Sequence, residues 1–198
     1  MKHCGLTCVL GLKGGVGKSS LVLALYQYLT EQGMDVGVVS NDPISRRMEK
    51  IVADSFLHIS RGANFPAVKR TDDLIFDFGG FPESRAYGVL GNARNVLLPT
   101  LGDSVSIEGC IESLRQVEPL TQGRIAVIAS RVTDDELALL QDLLSVPVFR
   151  LKNSMGIPNM FAFGKSLKEQ ITERPVLKVS YNGLMQDIKN IANWLMEE

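Results

Sequence analysis

The sequence has few of the residues that would mark a secreted protein or an iron–sulfur protein. It contains three cysteines, Cys4, Cys8 and Cys110, and none of them belongs to a Cys-x-x-Cys pair. An odd number of cysteines at these spacings matches no disulfide framework and no zinc site, which predicts a reducing, cytoplasmic environment. An iron–sulfur cluster shared between subunits is disfavoured, because Cys110 is the only cysteine outside the first predicted strand.

Excess charge and long apolar runs are also missing. With 21 basic and 22 acidic residues the formal net charge is −1, so any binding to nucleic acid or membrane needs a local patch. The first apolar run is interrupted by Gly11 and Lys13, and neither a signal peptide nor a membrane span is predicted. The chain has 198 residues, 45% of them hydrophobic, and no repeat or long linker, which predicts a single domain over residues 1–198.

Short apolar runs alternate with helix-length segments along the chain. Strand-like runs occupy 4–10, 35–40, 74–77, 95–99, 124–129 and 147–151. Helical periodicity covers 21–29, 104–118, 134–144 and 183–196. This alternation predicts an α/β fold with a mostly parallel, twisted sheet flanked by helices.

A glycine-rich segment lies between the first strand and the first helix and reads Lys13-Gly14-Gly15-Val16-Gly17-Lys18-Ser19-Ser20. Its glycines allow backbone N–H groups to converge on an anion. Lys18 is placed to reach the β- and γ-phosphates of a nucleotide, and Ser19 to ligate Mg²⁺ at the start of a helix whose dipole favours the same charge. The segment therefore predicts the phosphate-binding loop of a P-loop NTPase.

The common form of this loop requires a glycine where the chain has Leu12. With its lysine at position 13, the loop instead resembles the ParA/MinD family of deviant Walker A ATPases, whose signature is Lys-Gly-Gly-x-Gly-Lys followed by Ser or Thr. This resemblance implies ATP as the nucleotide, although relatives carry an adenine-reading asparagine where this chain has Ser130. It also implies an ATP-bound homodimer in which Lys13 reaches the partner's phosphates, and hydrolysis that releases the dimer.

The segment Val39-Ser40-Asn41-Asp42-Pro43 resembles the family's Asp-x-Asp-Pro segment after the second strand, with Ser40 in place of the first acid. By this resemblance Asp42 orients the attacking water or the magnesium shell, and the substitution at Ser40 implies slower or differently regulated chemistry. The alternative is that Asp42 and Pro43 only form a turn after a strand.

Asp77 ends the apolar run Leu74-Ile75-Phe76, as a Walker B acid does, and is expected to hold Mg²⁺ through a coordinated water. The predicted metal site is therefore Ser19, Asp42 and Asp77. Gly79 and Gly80 follow, and Gly79 is expected to bring its backbone to the γ-phosphate and sense its loss. The alternative is an ordinary turn.

Within the family, the chain most resembles small ParA-type partition ATPases, because it begins close to its first strand and has Leu12 in the loop. This resemblance implies an ATP-dependent switch with weak, partner-stimulated hydrolysis that segregates plasmid or chromosomal DNA. Its expected partners are nonspecific DNA and a ParB-like centromere-binding protein, on the nucleoid in the cytoplasm. Candidate DNA contacts are Arg150, Lys152, Lys165 and Lys168. Their alternative is a solvated face, diluted by acids such as Glu169 and Glu173.

A MinD-like membrane-associated ATPase and a cargo-positioning ATPase are the alternative functions. The first needs a basic amphipathic helix at its C-terminus, whereas here Asp187, Glu197 and Glu198 outweigh Lys189. No membrane contact is therefore expected. A cargo-positioning ATPase would carry the same motifs as a partition ATPase.

Overall fold

The computed structural model describes residues 3–42, 46–60, 62–80 and 83–197. Its strands form one sheet, with β1 (Thr7–Val9), β2 (Gly37–Ser40), β3 (Phe56–His58), β4 (Leu74–Asp77), β5 (Asn95–Leu101), β6 (Arg124–Ser130) and β7 (Val148–Leu151). The strand order is β3-β2-β4-β1-β5-β6-β7, and each neighbouring pair in these ranges is parallel. The predicted fold class is confirmed, and β3 is the strand that the sequence pattern did not reveal.

Helices connect the strands and cover both faces of the sheet, as parallel connections require. They are α1 (Lys18–Glu31), α2 (Arg46–Val52), α3 (Tyr87–Gly91), α4 (Ser104–Val117), α5 (Asp134–Leu143), α6 (Gly156–Phe163), α7 (Leu167–Glu173) and α8 (Leu177–Met196). One apolar core lies under α1, α2, α6, α7 and α8, and the other under α3, α4 and α5. The short helices α2, α3, α6 and α7 were not predicted, and α8 begins before residue 183.

Two arginines fix the C-terminal end of α8 against the starts of β5 and β6. The guanidinium of Arg124 lies 4.5 Å from the ring centroid of Trp194 and donates to the Trp194 carbonyl at 2.7 Å. Arg94 donates to the Glu197 carbonyl at 2.7 Å. These bonds satisfy carbonyl groups that a helix end leaves without partners. No helix within the described ranges combines the length and the apolar character needed to cross a membrane.

Gly123 lies where two backbone segments cross before β6. A Cβ atom at this position would be 2.5 Å from the Ala93 carbonyl oxygen and 3.0 Å from that of Arg94. The second of these carbonyls accepts a hydrogen bond from Arg124 N at 2.9 Å, so the backbone has little freedom to move away. We expect Gly123→Ala to lower the free energy of unfolding by about 2 kcal/mol, as overpacking does.

Urea denaturation measures this effect, and Gly88→Ala is the matched control. A Cβ atom at Gly88, in α3, would meet no atom within 4 Å. The control is therefore expected to keep or slightly raise stability, since alanine favours a helix by about 1 kcal/mol over glycine. Equal unfolding midpoints for the two variants would contradict the packing argument.

Candidate nucleotide site

The phosphate loop lies at the carboxyl end of β1, in the middle of the sheet. β1 is flanked by β4 and β5, and α1 begins directly after the loop. Open parallel sheets bind ligands at this edge, in the crevice beyond the carboxyl ends of the strands. The fold thus brings the loop, the end of β2 and the end of β4 to one place.

Two glycines give the loop its shape. Gly15 and Gly17 have φ angles of +77° and +96°, in the left-handed region that residues with a side chain rarely adopt. Gly17 is also the N-cap of α1, and it has no side chain to cap the first N–H groups of the helix. These N–H groups are the donors that a bound phosphate accepts from.

Lys18 is buried at the first turn of α1, and its Nζ donates to the Lys13 carbonyl at 3.2 Å. Burial lowers the pKa of Lys18, whereas the nearby carboxylates of Asp77 and Asp42 act to raise it. The structure therefore holds the ammonium group across the loop, close to both predicted acidic residues.

Asp77 is buried between two hydroxyl groups. Ser19 Oγ donates to its Oδ2 at 2.8 Å, and Ser40 Oγ lies 3.1 Å from the same oxygen. The other oxygen, Oδ1, is buried and has no hydrogen-bond partner among the described residues. Burial raises the pKa of Asp77 to about 6, and the bonds from Ser19 and Ser40 act in the opposite direction.

This donor set fits Mg²⁺. A hydroxyl beside a carboxylate with one free oxygen can hold a hydrated Mg²⁺ together with nucleotide phosphates, which is how this ion is usually bound. The described residues contain no cluster of three or more His, Cys, Asp or Glu side chains that would form a dedicated metal cage. Ser19 and Asp77 would therefore hold the ion jointly with the nucleotide.

Asp42 and Gly79 meet beside this group. The backbone N–H of Asp42 donates to Ser40 Oγ at 3.1 Å. A Cβ atom at Gly79 would lie 3.0 Å from the Cα atom of Asp42, so a side chain here would require the Asp42 backbone to move by a few tenths of an ångström. The N–H of Gly79 donates to Asn41 Oδ1 at 2.9 Å, a contact that sequence reasoning missed. Pro43, the last residue of the predicted segment, lies outside the described residues.

Lys13 points toward α4 of its own chain. Its Nζ donates to Asp103 Oδ1 at 2.9 Å and to Ser106 Oγ at 2.7 Å. Asp103 is the N-cap of α4, accepting from Ser106 N, and these bonds from Ser106 and Lys13 hold the pKa of Asp103 well below its usual value. Neither partner of Lys13 was predicted from the sequence, although an aspartate before a periodic apolar run is a helix-start signal.

A cavity of about 170 Å³ opens beside the loop. It is bounded by the loop residues Gly15, Val16, Gly17 and Ser20, by Ser130 at the end of β6 with the following Arg131, and by residues 151–154, which begin at the last residue of β7. Ser130, which replaces the asparagine of relatives, therefore faces this cavity, and Asn153 adds an amide to its wall. The cavity adjoins the phosphate loop at the carboxyl edge of the sheet.

The four candidate DNA contacts are spread over β7, the loop that follows it, the loop between α6 and α7, and α7 itself. Arg150 forms an ion pair with Asp134, and Lys165 forms one with Glu173. Lys152 borders the cavity beside the phosphate loop, whereas Lys168 is exposed on α7. Two of the four charges are thus paired within the chain, and their role in DNA binding stays a prediction.

The sequence of residues 7–178 matches the CobQ/CobB/MinD/ParA nucleotide binding domain. No curated protein sequence matches the chain. Similar solved structures include a variant of McdA from Cyanothece in complex with ATP, with 14% identity, a TM-score of 0.71 and coverage of 100% of this chain and 99% of that chain. At these identities, likeness to a solved structure shows the fold alone.

Two further structures share this fold. MinD in the MinC:MinD cell division protein complex of Aquifex aeolicus has 14% identity and a TM-score of 0.70, with 97% of this chain and 96% of that chain covered. A ParA family ATPase from Chlorobium tepidum TLS has 16% identity and a TM-score of 0.59, with 98% of each chain covered. With the family match over residues 7–178 and the phosphate loop at the carboxyl end of β1, the chain belongs to the CobQ/CobB/MinD/ParA nucleotide-binding family.

Proposed function

We propose that this protein is an ATPase and a Mg²⁺-dependent switch that dimerises with ATP and acts in DNA segregation. The observation that carries the proposal is the position of Lys13. Its side chain is about one-third exposed, and its ammonium group is bonded to Asp103 and Ser106. Lys18 already places one ammonium group across the loop of its own chain. Lys13 points away from that loop, toward α4, and is therefore available to contact the phosphates of a second subunit once it leaves Asp103.

In this mechanism one set of residues binds the phosphates and Mg²⁺, and Asp42 acts on the attacking water. Lys18 and the loop N–H groups bind the phosphates, and Ser19 and Asp77 would hold Mg²⁺, which would supply charge neutralisation at the phosphates. Asp42 orients the attacking water. Ser40 positions both Asp77 and Asp42, because its hydroxyl contacts the Asp77 carboxylate and accepts a hydrogen bond from Asp42 N.

Asp42→Ala is expected to keep ATP binding and to reduce kcat by about 100-fold or more, the range in which a positioned catalytic group contributes. Asp42 has no predicted role in holding the phosphates, so the affinity for ATP should change little. Single-turnover hydrolysis and nucleotide titration separate the two effects. Native hydrolysis rates in Asp42→Ala would remove its catalytic role.

DNA binding is the part of the proposal that rests on charge. Between Leu143 and Lys168 the sequence contains no acidic residue and four basic ones, the candidate contacts Arg150, Lys152, Lys165 and Lys168. A symmetric dimer would double this surface, and contacts with phosphates add across the two subunits. Base-specific recognition is not required for such binding, because phosphate contacts carry most of its free energy.

Duplex DNA binding with ATP, with ADP and without nucleotide, each across a salt series, tests the proposal. We expect binding only with ATP, falling steeply with salt, and weaker in Lys168→Ala than in the control Lys189→Ala on α8. Binding to anionic vesicles in place of DNA would favour the membrane alternative. A lack of binding to either, with ATP-dependent dimers intact, would favour a switch that positions a protein cargo.

A further inference from the structure

The loops that follow β2 and β4 are joined by a side chain to which no role has been assigned. Asn41 Oδ1 accepts from Gly79 N at 2.9 Å, across 38 residues of sequence. The backbone of Asn41 is itself anchored, since its N–H donates to the Asp77 carbonyl at 3.3 Å. The side-chain amide therefore extends from a fixed base onto the loop after β4.

Gly79 is the residue expected to approach the γ-phosphate. A backbone N–H has a single proton, and it cannot make two full hydrogen bonds at once. A γ-phosphate oxygen that accepts from Gly79 must therefore displace Asn41 Oδ1. ADP has no γ-phosphate, so it leaves the bond between Asn41 and Gly79 in place.

We infer that Asn41 is a specificity-determining residue: it competes with the γ-phosphate for the Gly79 N–H and thereby sets how strongly the protein discriminates ATP from ADP. This inference rests on the proposed nucleotide switch. It also links nucleotide sensing to hydrolysis, because Asp42 follows Asn41 directly and packs closely on Gly79. Displacement of Asn41 Oδ1 from Gly79 therefore changes the contacts of the residue next to Asp42, while the Asn41 backbone stays bonded to the Asp77 carbonyl.

The size of the effect follows from the kind of bond. Both groups are exposed in part, and a hydrogen bond of this type contributes about 0.5–1.5 kcal/mol net. Because about 1.4 kcal/mol corresponds to a tenfold change in affinity, loss of the competing acceptor should raise the affinity for a γ-phosphate by about threefold to tenfold. The affinity for ADP should stay the same.

Displacement of a fluorescent nucleotide by ADP and by β,γ-imido-ATP, both with Mg²⁺, measures this discrimination. Asn41→Ala and Asn41→Ser are expected to raise the preference for β,γ-imido-ATP over ADP by about threefold to tenfold. Asn41→Asp keeps an acceptor and adds negative charge, so it should lower the same preference. Repeating the titrations in a Lys13→Ala background removes any contribution from dimerisation.

Asn92→Ala is the matched control, because the Asn92 amide also makes one exposed bond to a backbone group, the Gly88 carbonyl. It should leave the preference unchanged. If Asn41→Ala and Asn41→Ser both prefer β,γ-imido-ATP over ADP no more strongly than the native protein does, the inference about Asn41 is wrong. The nucleotide switch itself is still supported in that case, provided that the native protein discriminates between the two nucleotides. If the native protein binds both nucleotides equally, the switch and the role of Asn41 both fail.

Discussion

Lys18→Ala is expected to weaken ATP binding by at least about 100-fold. A hydrogen bond from a charged group contributes about 1.5–3 kcal/mol, and Lys18 is placed to bond to both the β- and the γ-phosphate. Because about 1.4 kcal/mol corresponds to a tenfold change in affinity, losing both bonds should weaken ATP binding by at least about 100-fold. The other lysine of the loop, Lys13, is bonded to Asp103 and therefore does not take over this role. Isothermal titration with ATP and Mg²⁺ gives the affinity directly.

The same variant should remain folded. Burial already disfavours the charged form of Lys18 in the free protein, and its Nζ has one hydrogen bond, to the Lys13 carbonyl. Removing a buried ammonium group therefore relieves a desolvation cost. A native unfolding midpoint with ATP binding within a few-fold of native would show that Lys18 does not bind the phosphates.

Lys13→Ala is expected to keep ATP binding and to abolish the ATP-dependent dimer. The Lys13 side chain contacts α4 of its own chain, whereas Lys18 bonds to the backbone carbonyl of Lys13, which alanine retains. If Lys13 reaches the partner's phosphates, its loss leaves negative charge in the interface without a partner, a change that weakens complexes by about 100-fold or more. Sedimentation with a slowly hydrolysed ATP analogue measures the dimer.

Asp103→Ser removes the contact of Lys13 with Asp103 within the chain but leaves Lys13 able to reach the phosphates of a second subunit. Serine keeps an N-cap for α4, so the helix start should be preserved, but the ion pair with Lys13 is lost. Lys13 must leave Asp103 to reach a second subunit. We therefore expect Asp103→Ser to dimerise at least as well as the native protein.

Dimers of native strength in Lys13→Ala would show that Lys13 acts within its own chain.

The phosphate loop was predictable because its information is local. Eight consecutive residues, from Lys13 to Ser20, carry the glycines, the lysines and the hydroxyl in the order that the chemistry needs. Asp77 was predictable for a similar reason, since an acid that ends a buried strand of a parallel sheet lies at the ligand-binding edge.

The contacts of Asn41 and Asp103 were not predictable from the sequence. They join residues 38 and 90 positions apart, and depend on β2 pairing with β4 and on α4 beginning beside the loop. Short-range patterns do not specify which strands become neighbours. The short helices α2, α6 and α7 were missed because seven or eight residues give too few turns for a clear apolar periodicity.

The arginine bonds at the end of α8 also determine where the protein can be labelled. Arg94 and Arg124 hold Trp194 and Glu197 at the amino ends of β5 and β6, whereas the phosphate loop lies at the carboxyl end of β1. β5 and β6 each have seven residues, so the two edges are about 20 Å apart at a rise of about 3.3 Å per residue. A fluorophore or surface tether joined after Glu197 would therefore leave the nucleotide edge accessible for single-molecule observation.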